Sequence, residues 1–493
     1  MKLIKKIFSL TSALYLLSIS ASSLAETSQN KPNFLFILTD DQAIDTIHAL
    51  GNERIHTPNL DKLVESGTTF THVFNQGSWS GAVCAPSRQM INTGRNVFRT
   101  GFNPNKDTTE YPLWGETFRN DGYETFITGK WHVGNNALKR SFDIGRNVFP
   151  GGMSHLKDGG QWRPKLVDFG DGVEWNKNTK QQHTSEAFTD AAVAYLDSKA
   201  QRNEAPFLMY VAYTAPHDPR QSPQSYVDKY PTESIQLPDS YQPLYPFDTG
   251  DYNIRDEALM DFPRTKEQTK AFIGEYYAMI EHMDAQIGRI LDKLESSPYA
   301  NNTYIIFTSD HGLAVGKHGL AGKQNSYDHS IRAPFIMVGK DINKNVRVPG
   351  MFYLNSIFPT TAELADIDIP KSVDAPSIVP LIEGEKLVMF DTIYGAYRQY
   401  QRMARNNRYK LIYFPMLKKN MLFDLRADPM ELTDISGQPG SDKIIAELTE
   451  KLEKLKVEVG DPLDNTSPEK SYAPFMTKHR PEHQYEAIKF KVH

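Results

Sequence analysis

The chain has 493 residues, 39% of them hydrophobic and 23% charged, which is long enough for a large core with a smaller one appended and excludes a disordered, collagenous or repeat protein. Lys and Arg total 55 against 60 Asp and Glu, and the formal charge of −5 gives no electrostatic reason to expect a nucleic-acid partner. The single cysteine, Cys84, excludes a disulfide framework and any multi-thiolate zinc or iron–sulfur site.

Residues 1–25 have the make-up of a signal peptide. Lys2, Lys5 and Lys6 give a positive start, Ile7 to Ile19 is mostly apolar, and Ser23-Leu24-Ala25 supplies small residues before a cleavage point. Glu26 comes next, where a lipoprotein signal needs a cysteine. The apolar run falls short of the ~20 residues of a membrane span, and no later segment is apolar enough. The expected product is exported, periplasmic or secreted, with no membrane anchor.

Four short apolar runs bounded by turn residues predict buried strands: Phe34 to Leu38, Glu124 to Thr128, Phe207 to Tyr213 and Tyr304 to Thr308. Between the last two, Phe272, Ile273, Tyr276, Ile280, Met283, Ile287, Ile290 and Leu294 recur at helical spacing and predict a helix over Thr269 to Leu294. Strands alternating with helices give an α/β fold with a large, mostly parallel sheet flanked by helices. Arg140 to His183 and Asp218 to Arg264, rich in Gly, Pro, Asp and aromatics, read as long loops around a site. Past residue 385 the pattern changes to β-like runs at Thr392 to Tyr397, Tyr409 to Phe414 and Met421 to Leu425. A charged helical stretch, Asp442 to Val457, comes after them. The expected organisation is a catalytic domain over 26–385 and a smaller α+β subdomain over 386–493.

Each predicted strand runs into ionisable residues. Asp40-Asp41 stands after the first, Gly129-Lys130-Trp131-His132 after the second, Ala215-Pro216-His217 after the third and Ser309-Asp310-His311-Gly312 after the fourth. Ligands bind at the carboxyl ends of strands in open parallel sheets, so one shared site is expected. Asp40, Asp41 and Asp310 would gather three carboxylates there, an arrangement that calls for a hard cation, Ca²⁺ or Mg²⁺, with His311 as a further donor or a supporting group. In Cys84 to Gly94, Pro86 suits a first helical position and Gly94 a C-terminal cap, which puts Cys84 at a helix N-terminus that favours an anion.

Cys84-Ala85-Pro86-Ser87-Arg88, with Thr93-Gly94 after it, resembles the signature of the formylglycine-dependent sulfatases. Further elements match in order over nearly the whole mature chain: Asp40-Asp41, Gly129-Lys130-Trp131-His132, Ala215-Pro216-His217-Asp218, Asp310-His311-Gly312, Gly322-Lys323, Leu422-Phe423-Asp424-Leu425 and Asp428-Pro429. One departure is Asn92, where the family usually has an apolar residue.

The resemblance implies an alkaline-phosphatase-like fold and hydrolysis of sulfate monoesters. A separate maturation enzyme would convert Cys84 to formylglycine, whose hydrate attacks sulfur with one hydroxyl and expels sulfate when the other loses its proton. One Ca²⁺ would be held by Asp40, Asp41, modified Cys84, Asp310 and His311. Arg88 and Lys130 would hold the hydrate, His132 would take the second proton, and His217 and Lys323 would bind sulfate and protonate the departing alcohol. Lys317, in the same Gly-rich loop, is the rival to Lys323. His318, His329 and Arg332 nearby read as solvated loop charges, and His282 as structural.

The expected substrate is a sulfated carbohydrate, an algal glycan such as ulvan or carrageenan or a glycosaminoglycan. Trp162, Arg163, Trp175, Arg220 and Tyr226 suit a sugar-facing surface and equally suit ordinary loop packing. The rivals are a phosphate or phosphonate ester hydrolase of the same superfamily and a silent glycan-binding homologue. Oligomeric state is not readable from the sequence.

Overall fold

The structure, a computed structural model, describes residues 31–202, 205–251 and 254–463. The expected signal peptide lies outside them. β1 (Asn33–Asp40) is buried along its whole length. Successive strand side chains point to opposite faces, so Phe34, Phe36 and Leu38 enter one core while Leu35 and Ile37 enter another.

The other strands, in chain order, are β2 (Thr68–Phe74), β3 (Gly77–Ser78), β4 (Glu124–Lys130), β5 (Ile144–Phe149), β6 (Lys165–Gly170), β7 (Val173–Thr179), β8 (Phe207–Pro216), β9 (Thr303–Ser309), β10 (Arg332–Ala333), β11 (Phe335–Val338) and β12 (Val346–Tyr353). All but β3 form an 11-stranded sheet in the order β10-β2-β11-β9-β1-β8-β4-β5-β6-β7, with β12 beside β2. The centre, β9-β1-β8-β4-β5, is parallel, and the pairs β11-β9, β5-β6 and β6-β7 are antiparallel. This is the mixed α/β architecture expected, with one correction. Arg140 to His183, read as a long loop, carries β5, β6 and β7.

Helices cover both faces. Lys266–Glu295 sends Met279, Met283, Ile287 and Ile290 onto the face with Leu35 and Ile37, beside Phe188 and Leu196 of the helix Thr184–Arg202. Thr265 caps the long helix by accepting from Gln268 N. The opposite face packs Trp114, Phe118, Leu138 and Phe358 against Phe34 and Phe36.

A second sheet of five strands adds β13 (Ile393–Tyr397), β14 (Gln401–Arg405), β15 (Tyr409–Phe414) and β16 (Lys419–Asp424), in the order β16-β15-β14-β13-β3. The helix Ser441–Val459 packs Leu448, Leu452 and Val459 on one face of it, and the other face meets Phe74, Tyr327 and Tyr353. The β3 strand, just ahead of Cys84, thus belongs to the small sheet.

Candidate active site

Four neighbouring parallel strands, β9-β1-β8-β4, end at one edge of the large sheet, and the residues at and just beyond their carboxyl ends form a buried cluster. The helix Cys84–Thr93 comes in beside it. Cys84 is its first residue, so Pro86 stands two places further in than expected, while Gly94 closes it in the left-handed conformation with its N–H on Met90 O. Helical residues three and four apart share a face, which turns Ser87 and Arg88 to the cluster together with Cys84. Ser87 Oγ donates to the Asp310 carbonyl (2.6 Å), Arg88 Nε to Asp310 Oδ2 (2.9 Å) and Arg88 Nη1 to the Lys130 carbonyl (2.7 Å).

Lys130 pairs with Asp40, and Lys323 Nζ meets Asp41 Oδ1 at 2.7 Å. Three carboxylates therefore face three cations, Arg88, Lys130 and Lys323, so much of the negative charge that called for a metal is already offset by the chain. Acceptors nevertheless remain. Ligand atoms of Asp40, Asp41, Asp310 and His311 all lie within 4.8 Å of one another, and all four residues are buried. His311 Nδ1 lies 3.0 Å from the Gly312 carbonyl and donates to it, which turns Nε2 toward Asp310 Oδ1 (3.4 Å) and Asp41 Oδ1 (3.5 Å). Asp40 Oδ1 and His311 Nε2 have no hydrogen-bond partner among the described residues. Buried acceptors left open in this way, oxygen-rich with one imidazole, fit a hard divalent cation.

Electrostatics agree with a point that attracts positive charge. Burial opposes a charged His311, yet Asp310, Cys84 and Asp41 together outweigh it and the ring is raised to about 9. Burial lifts the Asp40 carboxyl to about 6 against the pull of Lys130. Cys84 is 3% exposed, with Sγ 3.3 Å from His132 Nδ1. Burial works against its ionisation, but Lys130, His132 and Lys323 together hold the thiol well below its ordinary range.

His217 meets the cluster at Asp41, with Nε2 4.0 Å from Asp41 Oδ2 and Nδ1 2.8 Å from the Asp218 carbonyl. Burial, then Lys323 and Lys130, keep this ring well below the usual histidine range. A crevice lined by Gly152, Ser154, Gln161, Thr214, His217 and Asp218 leads to Asp40. Asp41 and His132 both hold left-handed backbone (φ 73° and 56°), conformations that cost a non-glycine residue energy and gather at functional sites.

Lys323, not Lys317, reaches the cluster. Lys317 pairs with Asp45 at 2.7 Å, and Glu257 pins the intervening loop by accepting from Ala321 N and Gly322 N, 2.9 Å each. His318, His329 and Arg332 are not solvated charges. The two rings are buried in a stack with Tyr327, His318 Nδ1 lying 3.2 Å from His329 Nε2, and Arg332 donates to the Thr71 carbonyl. His282 is buried against His183 and Tyr226. Of the sugar-facing candidates, Arg163 alone is exposed. Trp162 packs on His183, Trp175 stacks on Phe169, and Arg220 is buried over Phe272 and Tyr276.

Two residues escaped the sequence reading. Arg255 grips Asp218 and Asp256 at the rim, next to His217 and Lys323. Tyr276 donates to the Asp41 carbonyl from within the apolar stripe of the long helix. A loop arginine and a tyrosine at a core position carry no sequence signal that marks them out.

Residues 32–367 match the sulfatase family, and residues 316–458 match the C-terminal region of N-sulphoglucosamine sulphohydrolase. The chain belongs to the sulfatase family. It is a sulfuric ester hydrolase by that membership. A sulfatase of Formosa agariphila is 30% identical over 408 residues, 74% of this chain and 76% of the relative. An ulvan-active sulfatase of the same organism is 28% identical, covering 87% of this chain and 82% of its own. An N-acetylglucosamine-6-O-sulfatase of Bacteroides thetaiotaomicron is 24% identical over 90% of this chain and 91% of the relative. Among solved structures, one in complex with its substrate D-glucosamine-2-N,6-O-disulfate superposes with a TM-score of 0.72 at 22% identity, over 87% of this chain and 98% of the other. A phosphonate monoester hydrolase of Agrobacterium radiobacter gives 0.68 at 20% identity, over 87% and 96%. The fold expected of the family is thus the one observed.

Proposed function

We propose that this sulfatase removes sulfate from a sulfated carbohydrate, with residue 84 as formylglycine and one Ca²⁺ held by Asp40, Asp41, Asp310, His311 and residue 84. The observation that carries the reading is the meeting of Cys84, three buried cations and an open set of acidic and imidazole acceptors at one sheet edge. The ulvan-active and N-acetylglucosamine-6-O-sulfatase relatives support a carbohydrate substrate. The basic and apolar start of the chain supports export. Among the described residues no helix is long and apolar enough to cross a membrane. A division near residue 385 goes with this reading, the site before it and most of the second sheet after it.

Bound Ca²⁺ supplies polarisation of the sulfate oxygens and a lower pKa for the attacking hydroxyl. Formylglycine, made from Cys84 by a maturation enzyme, supplies a pair of hydroxyls for attack and for release. Arg88 and Lys130 keep positive charge beside residue 84, where negative charge grows during reaction. His132 Nδ1, 3.3 Å from Cys84 Sγ, would take the proton whose loss frees sulfate. At Asp41, His217 and Lys323 hold the ester. An anionic sulfate offsets the cations around His217, so the ring can carry at Nε2 the proton needed by the departing alcohol.

The test is direct. A peptide containing residue 84, taken from active protein, should react with a hydrazide probe, and Cys84→Ala should lose activity on sulfate esters. Full activity in that variant sinks the reading. Matched sulfate, phosphate and phosphonate esters then measure preference, and a faster phosphonate reaction would assign the chain to the other chemistry of its fold.

A further inference from the structure

Tyr276 lies on the long helix Lys266–Glu295, 1% exposed, with its hydroxyl engaged on both sides. The hydroxyl donates to the Asp41 carbonyl (2.5 Å) and accepts from Ala43 N (2.8 Å). It therefore clasps the chain immediately after Asp41, across Gln42, and so holds the carbonyl of the residue whose backbone stands at φ 73°. Left-handed backbone is unfavourable for a residue with a Cβ and persists only where its surroundings fix it. The phenol is itself fixed. Arg220 lies over its ring at 4.7 Å and over Phe272 at 4.6 Å, so the guanidinium packs against a ring that is itself buried.

We infer that Tyr276 is a positioning residue for the metal site: its hydroxyl holds the Asp41 backbone so that the carboxylate stands among Asp40, Asp310 and His311. The inference rests on the proposed Ca²⁺ site and adds a residue that touches no ligand atom. Outer partners of this kind typically govern metal affinity by 10–100-fold.

Calcium should be titrated calorimetrically into metal-stripped wild type and Tyr276→Phe, with melting followed in both forms. The Phe variant should bind Ca²⁺ at least about tenfold more weakly. Its stabilisation by saturating Ca²⁺ should shrink by about 1.4 kcal/mol per tenfold. Site-specific replacement of Tyr276 by p-aminophenylalanine, which keeps the donor to the Asp41 carbonyl but accepts poorly from Ala43 N, should recover part of the lost affinity. A merely structural hydroxyl would lower the melting temperature equally with and without Ca²⁺ and leave affinity unchanged, which would overturn the inference. So would an amino analogue that binds Ca²⁺ no more tightly than the Tyr276→Phe variant. Absence of Ca²⁺ binding by the wild type would overturn the metal reading and this inference with it, whereas equal affinities overturn this inference alone.

Discussion

His132 and His217 look alike in the sequence but meet the site at different residues, one against Cys84 Sγ and the other against Asp41. That placement separates their effects. His217→Ala should hurt most with sugar sulfates, whose alcohols leave poorly, and least with an activated aryl sulfate that needs little protonation. His132→Ala should release the first alcohol product in a burst and then stall. Single-turnover assays on both ester types check the pair, and equal losses with no burst in either variant would remove the division of labour. The site was legible to the extent that its residues lie at strand ends or sit in the Cys84 segment. What stayed hidden depends on side chains meeting across the chain. Lys317 and Lys323 share one loop, and only the pairing of Lys317 with Asp45 and the grip of Glu257 decide between them. His318 and His329 read as solvated because nothing local reveals that Tyr327 and Glu431 bury them.

At the scale of elements, the four apolar runs are strands because buried parallel strands are continuous hydrophobic segments. β7 gave no such signal. It is a largely exposed edge of Glu, Asn, Lys and Thr, so its hairpin with β6 passed for a loop. β14 escaped for the opposite reason. Gln401-Arg402-Met403-Ala404-Arg405 is fully buried, but two of its residues are arginines made tolerable by Asp461 and Asp328. Gly129 marks where β4 turns toward the site. It has φ 90°, and a Cβ there would stand 1.8 Å from the Ala212 carbonyl oxygen of β8. Gly129→Ala should therefore destabilise the fold by more than the ~1–2 kcal/mol of left-handed backbone alone. It should also cut activity by moving Lys130 off Asp40. Urea unfolding and kcat together check this, and a variant with wild-type stability would show that β4 can shift freely.

For the whole molecule the question is how the small sheet stays docked. Asp328 and Glu431 meet Lys410 Nζ at 2.6 Å each, and His318 Nε2 lies 3.1 Å from the Glu431 carbonyl, so the seam is a buried polar network. Burial drives His318 down to about 4 despite that carbonyl. The folded chain thus resists a proton that the unfolded chain accepts near pH 6.5. This contribution to stability is complete above pH 6.5 and is lost as pH falls toward 4. Other groups oppose it, Asp284 among them with its carboxyl lifted by burial to about 6, so the comparison must be with a variant. His318→Gln should reduce the loss of stability between pH 6.5 and 4.5, by roughly 2–3 kcal/mol at one pKa unit per 1.36 kcal/mol. Urea midpoints at the two pH values measure it, and parallel slopes for wild type and variant would exclude His318 as the source.

The pairing of β3 with β13 also sets an order in time. Gly77 and Ser78 reach their partners only when Ala396 and Tyr397 have been synthesised, and β1 likewise waits for β8 and β9. Once these pairings form, Cys84 is 3% exposed. Under the proposed reading, an enzyme that oxidises the thiol would have to reach it before these strands close, because the folded chain keeps that side chain buried.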